Sequence, residues 1–123
     1  MSGQSVLVDT NILIYLLRGH RTAAEILFDK KLFISFISEI ELLSFRKASA
    51  QEQKLVDGIL SDSRVIHSNS SIVQIAISFR REEGLKLPDA IIAATAAYLR
   101  VPLITADKKN LTIKNLEVIE YQP

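Results

Sequence analysis

A single α/β domain built on a parallel sheet is the architecture this sequence predicts. Short apolar runs rich in β-branched residues recur along the chain, and helical patterns separate them. That alternation is what a parallel sheet with crossover helices requires. The length of 123 residues suits one domain, taken here as residues 1–123. With 48% hydrophobic residues and a mean hydropathy of +0.20, the chain can bury a substantial core.

The first strand is read over Ser5 to Val8, and it runs directly into Asp9-Thr10-Asn11. Ile12 to Leu17 follows as a helix that is apolar on every side, which demands cover from both the sheet and a second element. Gly19 breaks it, and Thr22 to Phe28 forms a short helix with Ala23, Ile26 and Leu27 inward. Leu32 to Ser35 is a strand. Phe36 to Phe45 is a helix whose spacing groups Ile37, Ile40 and Leu42 or Leu43. Ser49 opens a more polar helix with a thin stripe of Leu55, Ile59 and Leu60, and Val65-Ile66 is another strand. Ile72, Val73, Ile75, Ala76 and Phe79 then recur at helical spacing up to Gly84. Leu87-Pro88-Asp89-Ala90 starts the next helix, with Pro88 near the first helical position, where a missing N–H costs nothing. Ala90 to Leu99 is rich in small residues and suits close packing. Pro102 to Thr105 is a strand, and Glu117 to Tyr121 is the last.

Fifteen Lys and Arg nearly cancel 14 Asp and Glu, so bulk charge alone does not drive binding to nucleic acid, although local patches remain available. The absence of cysteine removes disulfides and thiolate zinc sites and fits a reducing, cytoplasmic setting. No uninterrupted apolar run approaches the ~18 residues of a membrane span. Asp9 interrupts the first apolar run, so a signal-peptide layout is not expected. Neither a Gly-rich phosphate loop nor a Gly-x-Ser-x-Gly motif occurs.

Four carboxylates stand where a strand ends or a helix begins: Asp9, Glu41, Asp89 and Asp107. Each has a purely structural reading. Asp9 suits a helix N-cap; Ser38 and Glu41 fit a capping box; Asp89 in a first turn suits the helix dipole; Asp107 can close a strand in a polar turn. The joint reading is different. Asp9 and Asp107 both follow a short apolar strand with a hydroxyl nearby, Thr10 and Thr105. In an open α/β sheet two such strand ends flank one crevice. Carboxylates gathered there repel and raise one another's pKa, a cost that a divalent cation removes. Hard oxygen donors favour Mg²⁺ or Mn²⁺, which can activate water and offset the charge of a phosphodiester. Glu39 competes with Glu41 for the second position. Two residues apart on a helix, they cannot face the same way, and the apolar pattern does not decide between them.

These segments resemble the motifs of PIN-domain ribonucleases, in particular the small VapC-type toxins of toxin–antitoxin pairs. The resemblance rests on Val8-Asp9-Thr10-Asn11, on Ile34-Ser35 followed by Glu41-Leu42, on Leu87-Pro88-Asp89-Ala90 with the run to Ala94, and on Leu103-Ile104-Thr105-Ala106-Asp107. The four follow one another in family order over almost the whole chain. The resemblance implies a parallel sheet of order 3-2-1-4-5 flanked by helices. It also implies a catalytic and metal-binding set of Asp9, Glu41, Asp89 and Asp107, choosing Glu41 over Glu39, with Asn11 and Thr105 as supporting polar groups. The implied activity is Mg²⁺- or Mn²⁺-dependent hydrolysis of RNA, leaving a 5′-phosphate and a 3′-hydroxyl. The implied partners are a cognate antitoxin and a second copy of the chain in a homodimer. Two positions depart from the pattern. Leu111 stands where an aromatic residue is common, and Asn110 where some relatives carry a further acid, so the resemblance leaves open whether one metal or two are bound.

His20 and His67, the only histidines, lie outside these motifs and read as surface residues. Of the basic pairs, Arg46-Lys47 and Arg80-Arg81 read as solvated faces. Lys108-Lys109 follow Asp107 directly and are placed to hold an RNA backbone. The readings that compete with a ribonuclease toxin are a housekeeping or DNA-directed nuclease of the same family and a PIN-like RNA-binding module without turnover. Intact acids at all four positions speak against the module.

Overall fold

The computed structural model describes residues 3–45 and 48–123. The basic pair Arg46-Lys47 lies outside the described residues. Five strands form one parallel sheet: β1 (Ser5–Val8), β2 (Lys31–Ser35), β3 (Arg64–Ile66), β4 (Leu103–Thr105) and β5 (Val118–Glu120), in the order β3-β2-β1-β4-β5. The helices are α1 (Thr10–Leu17), α2 (Arg21–Leu27), α3 (Phe36–Leu43), α4 (Ala50–Asp62), α5 (Ser70–Glu83) and α6 (Leu87–Leu99). A short 3-10 helix at Lys108–Thr112, absent from the sequence reading, fills the turn after β4.

β1 is central because it can be buried on both faces. Val6, Leu7 and Val8 are fully enclosed, the continuous apolar run expected of an inner parallel strand. Alternation along the strands divides the core in two. Leu7 and Leu103 pack with Ile72, Phe79, Ile92 and Ala93 from α5 and α6. Val6, Val8 and Ile104 pack with Ile12, Leu13, Ala23 and Leu27 from α1 and α2, joined by Leu42 and Val56. The small side chains of α6 permit its close approach: Ala90, Ala93, Ala94 and Ala96 are all fully buried.

Helix ends follow the local chemistry. Ser35 caps α3, accepting from the Ile37 N–H at 3.1 Å. Ser38 therefore lies inside that helix and is not the cap of a Ser38–Glu41 box. The capping box belongs to α4, between Ser49 and Glu52. Gly84 ends α5 in the left-handed conformation, at φ 67°. Some predicted facings differ. Ile40, Leu43, Leu55 and Val73 are exposed, whereas α4 meets the core through the buried Val56, with the predicted Ile59 and Leu60 partly buried beside it. Leu43, Leu55 and Val73 each adjoin another apolar residue, Leu42, Val56 and Ile72, and neighbours on a helix cannot both face the core, so periodicity alone did not tell which would be left out.

The chain leaves β1 toward β2 and β3, then returns to place β4 on the other side of β1. That reversal of strand order lies between β1 and β4, and it opens a crevice at their carboxyl ends.

Candidate active site

Asp9 and Thr105 end the two strands at that reversal. The Asp9 N–H continues the ladder onto the Ile104 carbonyl at 2.9 Å, so the two strand ends stand side by side. Asp9 is only 7% exposed. One carboxylate oxygen, Oδ1, accepts from the Thr10 N–H at 2.8 Å, and Oδ2 accepts from the Thr105 hydroxyl at 2.7 Å. The structural reading of Asp9 holds: it is the N-cap of α1. Its bond goes to the first helical N–H, and the other oxygen is turned across to β4.

Thr105 is itself enclosed, and its oxygen accepts from the Asp107 N–H at 3.0 Å and from Nδ2 of Asn110 at 3.2 Å. Asp107 caps the 3-10 helix, with Oδ1 accepting from the Lys109 N–H at 3.0 Å. On the opposite side, the Thr10 hydroxyl donates to Oε1 of Glu41 at 2.6 Å. Because its single proton is spent there, the 2.7 Å contact with the enclosed Ser38 hydroxyl has Ser38 as donor. This bond ties Glu41 to Thr10, next to Asp9; Glu39 lies in the first turn of α3, on another side of the helix.

Asp89 sits half-buried in the first turn of α6, behind Pro88. Burial raises its pKa above the ordinary 3.8, the charges of Asp107 and Glu41 raise it further, and Lys109 and Lys86 oppose the shift. Burial likewise raises Asp9. The bonds from Thr105 and Thr10 counter that, while the charges of Asp89 and Asp107 add to it. All four predicted acids thus lie in one electrostatic field. Among the described residues, no three acidic or histidine side chains are gathered tightly enough to hold a metal ion between them in this conformation. Their donor chemistry nonetheless suits a hard divalent cation: carboxylate oxygens only, with Asp9 and Asp89 at raised pKa values that a positive charge would relieve.

Three other predicted residues are more peripheral. Asn11 is exposed in the first turn of α1 and joins none of these described bonds. Lys108 and Lys109 are exposed on the 3-10 helix, and the charge of Lys109 reaches Asp89. His20 and His67 are exposed, His20 lying edge-on to Tyr15 with ring centroids 4.9 Å apart. Sequence reasoning missed Ser38, Lys86 and the donor role of Asn110. Ser38 carried a usable signal, a small polar residue one turn before Glu41 on the same helix. Lys86 carried only its closeness to Asp89 in sequence.

Beside Glu41, an apolar groove runs between α1, α3 and α4, lined by Ile14, Leu17, Leu42, Phe45 and Val56. Phe45 in this groove and Leu43 in an adjoining hollow that shares Leu42, Phe45 and Val56 are 47% and 58% exposed.

The model of the PIN domain family matches residues 6–116. No curated protein matches the chain by sequence. Among solved structures, the chain is similar to a toxin-antitoxin complex from Klebsiella pneumoniae, with 37% identity, 95% of this chain and 98% of that one covered, and a TM-score of 0.84. It shares its fold with VapBC2 from Rickettsia felis bound to a DNA fragment from its promoter, at 24% identity, 97% and 100% coverage and a TM-score of 0.82. The same holds for VapBC-1 from nontypeable Haemophilus influenzae, at 23% identity, 96% and 98% coverage and a TM-score of 0.78. With its sheet order, its acidic crevice and a family match over most of its length, the chain belongs to the PIN-domain family, in the form found in toxin–antitoxin complexes.

Proposed function

We propose that this PIN domain is a VapC-type toxin, an endoribonuclease that hydrolyses RNA phosphodiester bonds with Mg²⁺ or Mn²⁺ held by Asp9, Glu41, Asp89 and Asp107. The observation that carries the reading is the convergence of these acids on one crevice, where Asp9 feels the charges of Asp89 and Asp107, and Asp89 those of Asp107 and Glu41. A divalent cation bound there supplies Lewis acidity, offsetting phosphodiester charge and making water acidic enough to act as nucleophile. The chain's own part is positioning. Thr105 and Thr10 N–H pin the two oxygens of Asp9, and the Thr10 hydroxyl holds Glu41. Lys86 and Lys109 beside Asp89, with Lys108 next to them, attract the RNA backbone to the rim of the crevice. Cleavage of total cellular RNA with fragment ends mapped is the test. Fragments bearing 5′-phosphates, abolished by EDTA and restored by Mg²⁺ or Mn²⁺, are expected; cleavage that survives exhaustive chelation sinks the reading.

The partner in this reading is a cognate antitoxin seated in the groove of α1, α3 and α4, where it would cover Leu43 and Phe45 and close over Glu41. Co-expression with the neighbouring gene product should yield a stable complex that Phe45→Glu weakens. The proposed unit is a homodimer, checked by sedimentation of the free protein. The proposed setting is the cytoplasm; among the described residues, no helix is long and apolar enough to cross a membrane.

A further inference from the structure

We infer that Asn110 is a positioning residue: its side-chain amide sets the direction of the Thr105 hydroxyl and, through it, the carboxylate of Asp9. The consequence for metal binding rests on the function proposed above; the relay itself rests on geometry. A threonine hydroxyl has one proton to donate and two lone pairs to accept. At Thr105 the Asp107 N–H and Asn110 Nδ2 occupy the accepting side, at 3.0 and 3.2 Å. The proton is left with Oδ2 of Asp9, at 2.7 Å.

The burial of Asn110 points the same way. It is 2% exposed, and its Oδ1 has no hydrogen-bond partner among the described residues. An enclosed carbonyl without a partner is costly, and a leucine would occupy similar space without that cost. Turning the amide over would merely exchange the unpaired end, and it would set an acceptor against Thr105, drawing the proton away from Asp9. What the amide supplies is therefore the donor on Thr105. The 3-10 helix fixes its position, because the Asn110 N–H is bound to the Asp107 carbonyl at 3.1 Å. Asp9 Oδ1 is already held by the Thr10 N–H, so the relay from Asn110 completes the pinning of both oxygens.

The first measurement needs no variant and no metal. In NMR spectra of the labelled wild-type protein, the Asn110 side-chain amide protons should be protected from exchange and show cross-peaks to Thr105. Freely exchanging amide protons without that contact would overturn the proposal. The second is Mn²⁺ affinity followed by electron paramagnetic resonance. Asn110→Leu should weaken binding by roughly 10- to 100-fold, the range for groups that orient a metal ligand. Thr105→Val should weaken it as much, Thr105→Ser should retain it, and the double variant Asn110→Leu/Thr105→Val should be no weaker than Thr105→Val alone. Unchanged affinity in folded Asn110→Leu, or losses that multiply in the double variant, would show that Asn110 does not act through Thr105. A wild-type protein that takes up no Mn²⁺ yet shows the cross-peaks would remove the metal-dependent function while supporting the relay.

Discussion

Asp9 and Asp89 are two acids of one crevice held in opposite ways. Asp9 ends the central strand, enclosed, with each oxygen bonded to a donor that other bonds hold in place. Asp89 lies half-buried at a helix start, where no described hydrogen bond meets its carboxylate and where Lys86 and Lys109 temper the surrounding negative charge. Hydrogen bonds that favour the ionised form oppose the desolvation of Asp9. At Asp89 only distant cations do so, and those are screened by solvent. The contrast describes a crevice with one rigid wall and one adaptable wall. Under the proposed function, Asp9 would fix the position of a cation and Asp89 would adjust to it.

The largest expected effect tests the rigid wall. Asn caps a helix about as well as Asp, so Asp9→Asn should fold normally. Cleavage should nevertheless fall by orders of magnitude and Mn²⁺ binding should weaken, while metal-free stability stays level or rises because a repulsive charge has gone. A folded Asp9→Asn protein that cleaves at the wild-type rate would reduce Asp9 to a cap and remove the metal-site argument.

Ser38→Ala probes the wall at Glu41. It deletes the donor that holds Thr10 against Glu41 and should cost about 0.5–1.5 kcal/mol of stability, the usual worth of such a bond. Cleavage should drop roughly tenfold if Thr10 orients a metal ligand. A stability loss with full activity would make that bond purely structural.

A titration sharpens the comparison further. Asp9 and Asp89 both have folded-state pKa values raised above 3.8. Between that value and the raised ones, the folded chain binds more protons than the unfolded chain, so their contribution to stability falls as pH rises through the window. Metal-free wild type should therefore lose melting temperature relative to Asp9→Asn as pH climbs from 3.8, and the gain on adding Mg²⁺ should grow over the same range. A difference that shrinks with pH would place Asp9 in a favourable field instead.

The smallest effect belongs to the adaptable wall. In an Asp9→Asn background, Lys86→Ala or Lys109→Ala should weaken RNA binding by a few-fold and lower the slope of log affinity against log salt by about 0.7, the value for one contact to a single strand. Anisotropy with a labelled oligonucleotide across a salt series checks it, and an unchanged slope would take both lysines off the RNA path.

Much of this was legible in the residues themselves. Enclosed strands need continuous apolar runs, and Val6-Leu7-Val8 and Leu103-Ile104 announced themselves that way. Asp9, Asp89 and Asp107 drew notice because charge directly after such runs, or at a helix start, is conspicuous, whereas Glu41 was preferred to Glu39 by the family resemblance alone. The structural readings, Asp9 as a helix cap and Asp107 as the polar turn that closes a strand, were not rivals to the joint reading, since both residues cap a helix and face the same crevice. Local sequence determined strands, helix starts and the positions of the acids, because each depends on neighbours a few residues away. Only the tertiary structure decided that Thr105 bonds Asp9 across 96 positions, that Thr10 meets Glu41 across 31, and that Asn110 turns its donor inward. Those bonds join segments that the order of strands brings together, and a hydroxyl or amide carries no sign in its own sequence of which distant group it will face.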